Sequence, residues 1–281
     1  MEVEFSNVSL LINRNTYAEK LILDNISFEL LSGKKYSFVG NSNSGKTIIG
    51  ELINGTIKPT KGNVRIGDFI NNGKKIENVN NLRFDVGIVY KNKEEMFFNK
   101  RVKDELEFAI KYFKYKTNKK NIRTIDALKI VGLSEEYLNK KIDDLSLSEL
   151  KKVGIASVLI YNPKIIIMDE PSLHLNNRER NDLIRILNFI NEKYNKTIII
   201  MSRDTDFVYK FNSNVFILNN GKIVMKGDNN IFYNEKELEK YNLYSPEIIQ
   251  FSNIVKEKYN KNFKYYNDIK DLIKGVCNDV L

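Results

Sequence analysis

The chain has 281 residues, enough to bury a sizeable core in one large domain or in one domain with an appendage. Its single cysteine, Cys277, excludes an internal disulfide framework, and its single histidine, His174, excludes a metal site built from several histidines. The net charge of +9 comes from lysines along the whole chain, which favours a solvated surface first, an anionic membrane surface second and nucleic acid third. Because no basic helix or aromatic base-stacking motif stands out, we expect no nucleic-acid partner.

Two strand patterns open the chain and predict an antiparallel β-element. Apolar residues nearly alternate over 3–10, and a second strand pattern covers 21–31. A polar loop with one aromatic residue, Tyr17, connects the two patterns.

The pattern G-x-x-x-x-G-K-[ST] follows, between a strand-like apolar run and a helix-like run that begins with Ile48. Its residues are Gly40, Asn41, Ser42, Asn43, Ser44, Gly45, Lys46 and Thr47. The glycines let backbone N–H groups approach phosphate oxygens, and the following helix presents its positive end to the same anion. Lys46 is predicted to reach the β- and γ-phosphates, and Thr47 to ligate Mg²⁺. The sequence therefore predicts a nucleoside triphosphate site.

A second catalytic element lies in the middle of the chain. Residues 86–90 predict a buried strand, and apolar residues over 102–113 recur at helical spacing. Four apolar residues at 165–168 then precede Asp169 and Glu170, which predicts a buried parallel strand whose end delivers both carboxylates to the ligand crevice of an α/β fold. Asp169 is predicted to hold Mg²⁺, and Glu170 to accept a proton from the attacking water.

The last third of the chain predicts one more buried strand, a hairpin and two helices. The strand covers 197–201, and the hairpin at 215–224 turns through Asn219, Asn220 and Gly221. Beyond Gly227 two helices are predicted, each with an apolar stripe. A short two-helix tail cannot bury these stripes alone, so we expect it to dock on the main domain or on another subunit.

The phosphate loop, the turn at 58–62 that follows the first helix, and the Asp169–Glu170 pair together resemble an ABC-type ATPase over nearly the whole chain. The resemblance implies an α/β P-loop NTPase with a RecA-like parallel sheet core, an antiparallel β-element and a helical subdomain at about 91–150. It implies a nucleotide-binding domain at 1–227 and a C-terminal helical dimerisation element at 228–281. It also implies ATP and Mg²⁺ as cofactors, and ATP hydrolysis.

The tail, the chain length and residues 86–98 further resemble the ATPase subunits of energy-coupling factor transporters, which import vitamins or metal ions. This implies a second ATPase subunit, in a homo- or heterodimer, and integral membrane coupling and substrate-binding subunits. It implies a peripheral place on the cytoplasmic face of the membrane. Because no apolar run approaches the roughly 18 residues of a spanning helix, we expect the link to the membrane to go through partners.

The role of residues 96–98 and the role of Tyr17 each have two interpretations. Met96, Phe97 and Phe98 either contact the membrane partner or belong to the core of the helical subdomain. Tyr17 either stacks on the adenine, as in several ATPase families, or is ordinary amphipathic surface.

Several positions depart from the family pattern. Lys91 stands where the family has a glutamine that ligates Mg²⁺, and a lysine has no acceptor atom. In the signature segment, Ser146 is retained and can hydrogen-bond a γ-phosphate, whereas Leu147 obstructs backbone approach and Glu149 adds negative charge. Arg203 replaces the switch histidine, where it either acts as an arginine finger or only holds ATP in place. We therefore expect slow hydrolysis.

Two functions of different classes follow. In the first, the chain couples ATP binding and hydrolysis to uptake of a vitamin or metal ion. In the second, it is a hydrolysis-poor regulatory or structural subunit paired with an active paralogous ATPase, which the altered residues favour and Glu170 opposes. A soluble ABC protein acting on ribosomes or DNA is disfavoured, since the sequence has one ATPase domain and no heptad run.

Overall fold

The computed structural model describes residues 1–112, 120–259, 264–266 and 269–280. The strands of these ranges are β1 (Val3–Ile12), β2 (Lys20–Leu30), β3 (Lys35–Val39), β4 (Lys61–Ile66), β5 (Phe69–Asn71), β6 (Val86–Val89), β7 (Ile165–Asp169), β8 (Thr197–Ser202), β9 (Asn214–Asn219) and β10 (Lys222–Gly227). The helices are α1 (Lys46–Asn54), α2 (Val79–Asp85), α3 (Lys93–Met96), α4 (Val102–Tyr112), α5 (Lys120–Ile130), α6 (Leu147–Leu159), α7 (Asn177–Tyr194), α8 (Thr205–Phe211), α9 (Glu235–Glu239), α10 (Glu247–Tyr259) and α11 (Ile269–Val280). The last position of the helical spacing at 102–113 lies outside the described residues.

The strands form two sheets. One has six strands in the order β10-β9-β3-β8-β7-β6, parallel from β9 to β6, and the other is an antiparallel sheet in the order β2-β1-β4-β5. Every residue of β7 and β8 is buried, as their continuous apolar runs predict for strands covered on both faces. The carboxyl ends of β3, β7 and β8 therefore meet at one edge of the parallel sheet.

The hairpin between β9 and β10 turns through Asn220 and Gly221, at φ 47° and 75°. Both residues lie in the left-handed region that a two-residue hairpin turn requires, as their types predict. Close approach also demands the glycine, because a Cβ on Gly221 would lie 2.3 Å from the carbonyl oxygen of Ile22. The turn thus holds the parallel sheet against strand β2.

Helices α3 to α6 lie between β6 and β7 and share one core, which contains Leu106, Leu128 and Val153. The structure distinguishes between the two interpretations of residues 96–98. Met96 and Phe97 pack partly buried against this core, whereas the Phe98 side chain is 79% exposed. Met96 approaches α6 so closely that a Cβ on Gly154 would lie 2.4 Å from its sulfur. The core interpretation therefore describes the first two residues, and only Phe98 is available to a partner.

The C-terminal segment packs on the parallel-sheet domain, which was one of its two predicted docking sites. Ile249 of α10 is fully buried in the main core, and the Glu247 amide donates to Asp206 Oδ1 of α8 at 2.9 Å. The rings of Tyr233 and Tyr265 stack with centroids 4.1 Å apart. One face of the two helices nevertheless remains exposed, namely Phe251, Ile254, Ile269 and Ile273. No helix of the described ranges is long and apolar enough to cross a membrane.

Candidate nucleotide site

The loop between β3 and α1 needs glycine where the helix begins. Gly45 is the N-cap of α1 in a left-handed conformation with φ 103°, and a Cβ there would lie 2.6 Å from Leu23 Cδ2. The first turn of α1 contains no acidic residue. The loop residues Ser42 and Asn43 are exposed. The positive end of the helix is therefore open to an anion.

Lys46 lies over this loop. Its ammonium donates to the carbonyl oxygens of Gly40 at 2.7 Å and Asn41 at 2.9 Å, and its side chain is only 6% exposed. Burial lowers the pKa of Lys46, while the negative charges of Glu170 and Asp169 act in the opposite direction. Lys46 therefore provides a partly desolvated cation at the phosphate loop.

Thr47 and Asp169 bring oxygen ligands together from two elements. The Thr47 hydroxyl lies 3.2 Å from Asp169 Oδ1 and 3.1 Å from Oδ2. Burial raises the pKa of Asp169, and the Thr47 hydrogen bond partly offsets this effect. A hydroxyl and a carboxylate fit Mg²⁺, a hard cation that binds oxygen. Mg²⁺ is usually bound by one or two protein ligands together with substrate phosphates and water, and these two oxygen ligands fit that pattern.

Glu170 is fixed in a strained conformation beside these groups. Its φ is 44°, uncommon for a non-glycine residue, and its amide donates to the carbonyl oxygen of Met201 at 2.7 Å. Its Oε2 accepts from the Arg203 amide at 3.2 Å and from the Ser202 hydroxyl at 3.3 Å. Its other oxygen lies 3.9 Å from Lys46 Nζ. The carboxylate is therefore held at the edge of the sheet where β3, β7 and β8 end.

A family model described as ABC transporter matches residues 23–173, more than half of the chain. The chain belongs to the ABC transporter family. The predicted ABC-type ATPase and its α/β P-loop fold are thereby confirmed.

Comparisons with individual ABC proteins agree with the family model. The energy-coupling factor transporter ATP-binding protein EcfA3 of Oenococcus oeni is 32% identical over 92% of this chain and 90% of its own length. The solved structure of CbiO1 from Clostridium perfringens, part of the transporter complex CbiONQ, superposes with a TM-score of 0.73 at 25% identity, over 89% of this chain and 97% of that one. The solved structure of a dimeric ATP-binding cassette, MJ0796, bound to ADP and phosphate, also superposes with a TM-score of 0.73 at 25% identity. The match covers 80% of this chain and 98% of that one.

The segment at the position of the ABC signature contains a helix cap that the sequence analysis does not identify. Ser146 is the N-cap of α6, and its hydroxyl accepts from the Glu149 amide at 3.3 Å while Glu149 Oε2 accepts from the Ser146 amide at 2.7 Å. Tyr137 also donates to the Glu149 carboxylate. Glu149 keeps the negative charge that the sequence analysis assigns to it, but its carboxylate folds back into a capping box at the start of α6. The S-x-x-E spacing is a sequence signal that predicts this arrangement.

This capping box should contribute stability that depends on pH. Partial burial alone would raise the pKa of Glu149, but hydrogen bonds from Tyr137 and Ser146 and the charge of Lys140 outweigh it and lower the pKa to about 2. Glu149→Ala should lower the free energy of unfolding by about 1 kcal/mol at neutral pH. Because the carboxylate loses its advantage between its ordinary pKa of 4.5 and about 2, the difference between the two proteins should shrink over that interval.

Urea unfolding at a series of pH values checks this prediction. Glu136→Ala provides a matched control, since Glu136 is exposed in the neighbouring 3₁₀ turn. A difference for Glu149→Ala that stays constant from pH 7 to about pH 2 would contradict the expectation.

The remaining predicted site residues differ in how close they lie to the loop. Ile48 is half-buried in the first turn of α1, and Ser44 is buried in the loop. Arg203 is exposed, and only its amide is seen to contact Glu170. Lys91 is exposed, although its charge and that of Arg203 act on Lys46. Tyr17 lies fully exposed in the loop between β1 and β2, so its ring is not packed against the phosphate loop.

Two contacts at the site involve residues that the sequence does not single out, Tyr241 and Lys151. The Asn41 side-chain amide donates to the carbonyl oxygen of Tyr241, which follows α9, at 2.8 Å. The Lys151 ammonium lies 3.3 Å from the carbonyl oxygens of both Lys91 and Glu170. Both contacts join segments far apart in the chain, which no local pattern reveals.

Proposed function

We propose that this chain is the ATP-binding subunit of a membrane importer, in which ATP binding and hydrolysis drive uptake of a vitamin or metal ion through integral membrane partners. The observation that carries the proposal is the convergence of two catalytic elements. Lys46 Nζ lies 3.9 Å from Glu170 Oε1, and the Thr47 hydroxyl lies within hydrogen-bond distance of both oxygens of Asp169. The relative named as an energy-coupling factor transporter protein supports the importer class.

Each residue of the site has a proposed task. The amides of residues 40–48 and the Lys46 ammonium bind the phosphates of ATP. Thr47 and Asp169 hold Mg²⁺, which when bound neutralises charge on the phosphates. Glu170, oriented by its contacts with Ser202 and the Arg203 amide, accepts the proton of the attacking water.

Three further roles depend on groups that approach from outside the loop. The ring of Tyr17, exposed in the loop between β1 and β2, stacks on the adenine. The guanidinium of Arg203 binds the γ-phosphate from the end of β8. The hydroxyl of Ser146, exposed at the start of α6, donates to the nucleotide of a second ATPase subunit.

One observation favours the second candidate function, a hydrolysis-poor regulatory or structural subunit paired with an active paralogous ATPase. Glu149 Oε2 accepts from the Ser146 amide at 2.7 Å, so this N–H is already satisfied within the chain. A nucleotide on a second subunit would gain fewer donors from this helix than from an open helix end. This arrangement also favours a heterodimer, since a homodimer would repeat the deficit at both sites.

Two exposed apolar surfaces fit the proposed partners. Phe98, Phe108 and Tyr112 form an aromatic patch on the helical subdomain, with neighbouring ring centroids 5.8 and 6.0 Å apart. We assign this patch to the integral membrane coupling subunit, which in turn joins the substrate-binding subunit. The exposed face of α10 and α11 is assigned to a second ATPase subunit, making 228–281 a dimerisation element beside a nucleotide-binding domain at 1–227. The chain would then lie peripherally on the cytoplasmic face of the membrane.

Removing the exposed ring of the aromatic patch should release the chain from membranes. Phe98→Ser deletes a side chain that is 79% exposed and contributes little to the core. Loss of an aromatic anchor at an interface typically costs about 2 kcal/mol or more, roughly 30-fold in affinity. We expect most of the variant in the soluble fraction of cells that express the native partners, where the wild-type chain sediments with membranes.

Ile70→Ser is the matched control, because Ile70 is 53% exposed on β5 and lies outside both the helical subdomain and the C-terminal element. The wild-type chain, Phe98→Ser and the control variant should bind ATP with equal affinity. Release of the control but retention of Phe98→Ser would contradict the assignment of the patch. Co-sedimentation of the wild-type chain with ribosomes rather than membranes would contradict the importer proposal itself.

A further inference from the structure

Lys151 is a buried cation near the start of α6 whose two hydrogen bonds go to backbone carbonyls. The residue is 5% exposed, and its ammonium lies 3.3 Å from the carbonyl oxygen of Lys91 and 3.3 Å from that of Glu170. Burial lowers the pKa of Lys151, while the negative charges of Asp169 and Glu170 act in the opposite direction. A buried charge is costly unless its surroundings compensate it. Here the two carbonyl oxygens and the nearby carboxylates provide that compensation.

One of the two carbonyls belongs to the strained residue of the site. Glu170 has a φ of 44°, a conformation that persists in a non-glycine residue only when the surrounding structure fixes it. Its amide is held by Met201 and its carboxylate by Ser202 and the Arg203 amide. Its carbonyl oxygen accepts from the Leu173 amide at 3.2 Å and from the Lys151 ammonium at 3.3 Å. The ammonium therefore adds a charged donor from α6 to the one backbone group of Glu170 that β8 and the turn after it do not reach.

The other carbonyl belongs to the loop that connects strand β6 of the parallel sheet to helices α3 to α6. Lys91 follows β6 and precedes α3, and the same stretch leads to the aromatic patch at Phe98. Lys151 itself lies in the second turn of α6, whose N-cap is Ser146. The Lys151 ammonium thus connects helix α6 to the loop after β6 and to the turn after β7.

We propose that Lys151 is a positioning residue for hydrolysis: its ammonium clamps the carbonyls of Lys91 and Glu170, so that the Glu170 carboxylate stays aimed at the nucleotide. This inference rests on the proposed role of Glu170 as the base. Lys151 touches no reacting atom. Its effect passes through the backbone of Glu170, where a displacement of the order of 1 Å is enough to cost roughly 100-fold in rate.

The test compares Lys151→Met, Lys151→Arg and Lys152→Met in the complex purified from its own membranes, with this chain alone altered. Lys151→Met removes the ammonium at nearly the same volume, and Lys152→Met removes a charge from the adjacent, half-buried position that makes neither contact. For Lys151→Met we expect kcat of ATP turnover to fall roughly 10- to 100-fold with KM changed less than about twofold. Lys151→Arg should recover much of kcat, and Lys152→Met should match the wild type.

Amide hydrogen exchange of the full-length chain provides a second measurement that needs no turnover. Exchange within 89–93 and 169–173 should be faster in Lys151→Met than in Lys152→Met, with the remaining segments unchanged. Equal exchange in these segments, or a kcat of Lys151→Met within about twofold of wild type, would overturn the inference. If Glu170→Gln leaves turnover intact, the proposed hydrolytic role of this chain fails, and exchange still decides whether Lys151 fixes the two carbonyls.

Discussion

Replacing Glu170 with glutamine in this chain alone should lower ATP turnover of the assembled complex by roughly 10²- to 10⁴-fold, the usual contribution of a general base. The substitution changes little besides basicity. A glutamine carbonyl oxygen can still accept from the Arg203 amide and the Ser202 hydroxyl, which hold Oε2 at 3.2 and 3.3 Å. The side chain should therefore stay in place while it loses the ability to accept a proton from water.

Turnover is measured on the complex from its own membranes, together with photolabelling of this chain by an azido-ATP. We expect turnover to collapse while labelling persists, which assigns hydrolysis to this site. Unchanged turnover with persistent labelling would instead make the bound ATP a structural or regulatory ligand and assign hydrolysis to the second subunit. Glu29→Gln, an exposed change on β2 of the antiparallel sheet, is the matched control and should leave both measurements unchanged.

The parts of the fold that depend on local pattern could be predicted from the sequence. Four apolar residues before Asp169 require a strand buried on both faces, and β7 is such a strand. The phosphate-loop pattern requires left-handed backbone at Gly45, which the structure has. Asn220 and Gly221 likewise specify their turn. In each case neighbouring residues alone determine the conformation.

The orientation of side chains could be predicted less completely. The position of Glu149 in the signature segment indicates only a negative charge near the nucleotide. Its spacing from Ser146 also makes it a capping residue, and the structure has this cap. Met96 and Phe98 are two residues apart and equally apolar, but only Met96 reaches the core of the helical subdomain. Which of them is buried depends on the loop from β6 to α4, for which the sequence has no periodic signal.

Contacts between distant segments could not be predicted. The strained backbone of Glu170 depends on Met201 and Lys151, which lie on different elements of the chain. The contact of Asn41 with Tyr241 depends on how the C-terminal segment packs. Such pairs follow from the complete tertiary arrangement, and one sequence specifies them only through the fold.

Replacing Lys46 with methionine should weaken ATP binding by about 1.5–3 kcal/mol, roughly 10- to 150-fold, the range for a hydrogen bond to a charged group. The ammonium is 6% exposed and contacts the carbonyl oxygens of Gly40 and Asn41, so it is held over the loop before a nucleotide arrives. Methionine retains the length of the side chain and removes the charge. Lys34→Met, at the opposite end of β3, is the matched control for loss of a lysine.

The same interaction should depend on pH in a defined direction. Because burial lowers the pKa of Lys46 from its ordinary 10.5, the ammonium begins to lose its proton at a lower pH than an exposed lysine does. The affinity of the wild-type chain for ATP should therefore fall as the pH rises toward 10.5, whereas the weaker affinity of Lys46→Met should stay nearly constant over the same interval. Titration with a fluorescent ATP analogue across this interval measures both. Parallel declines in the two proteins would show that a group other than Lys46 controls the alkaline loss of binding.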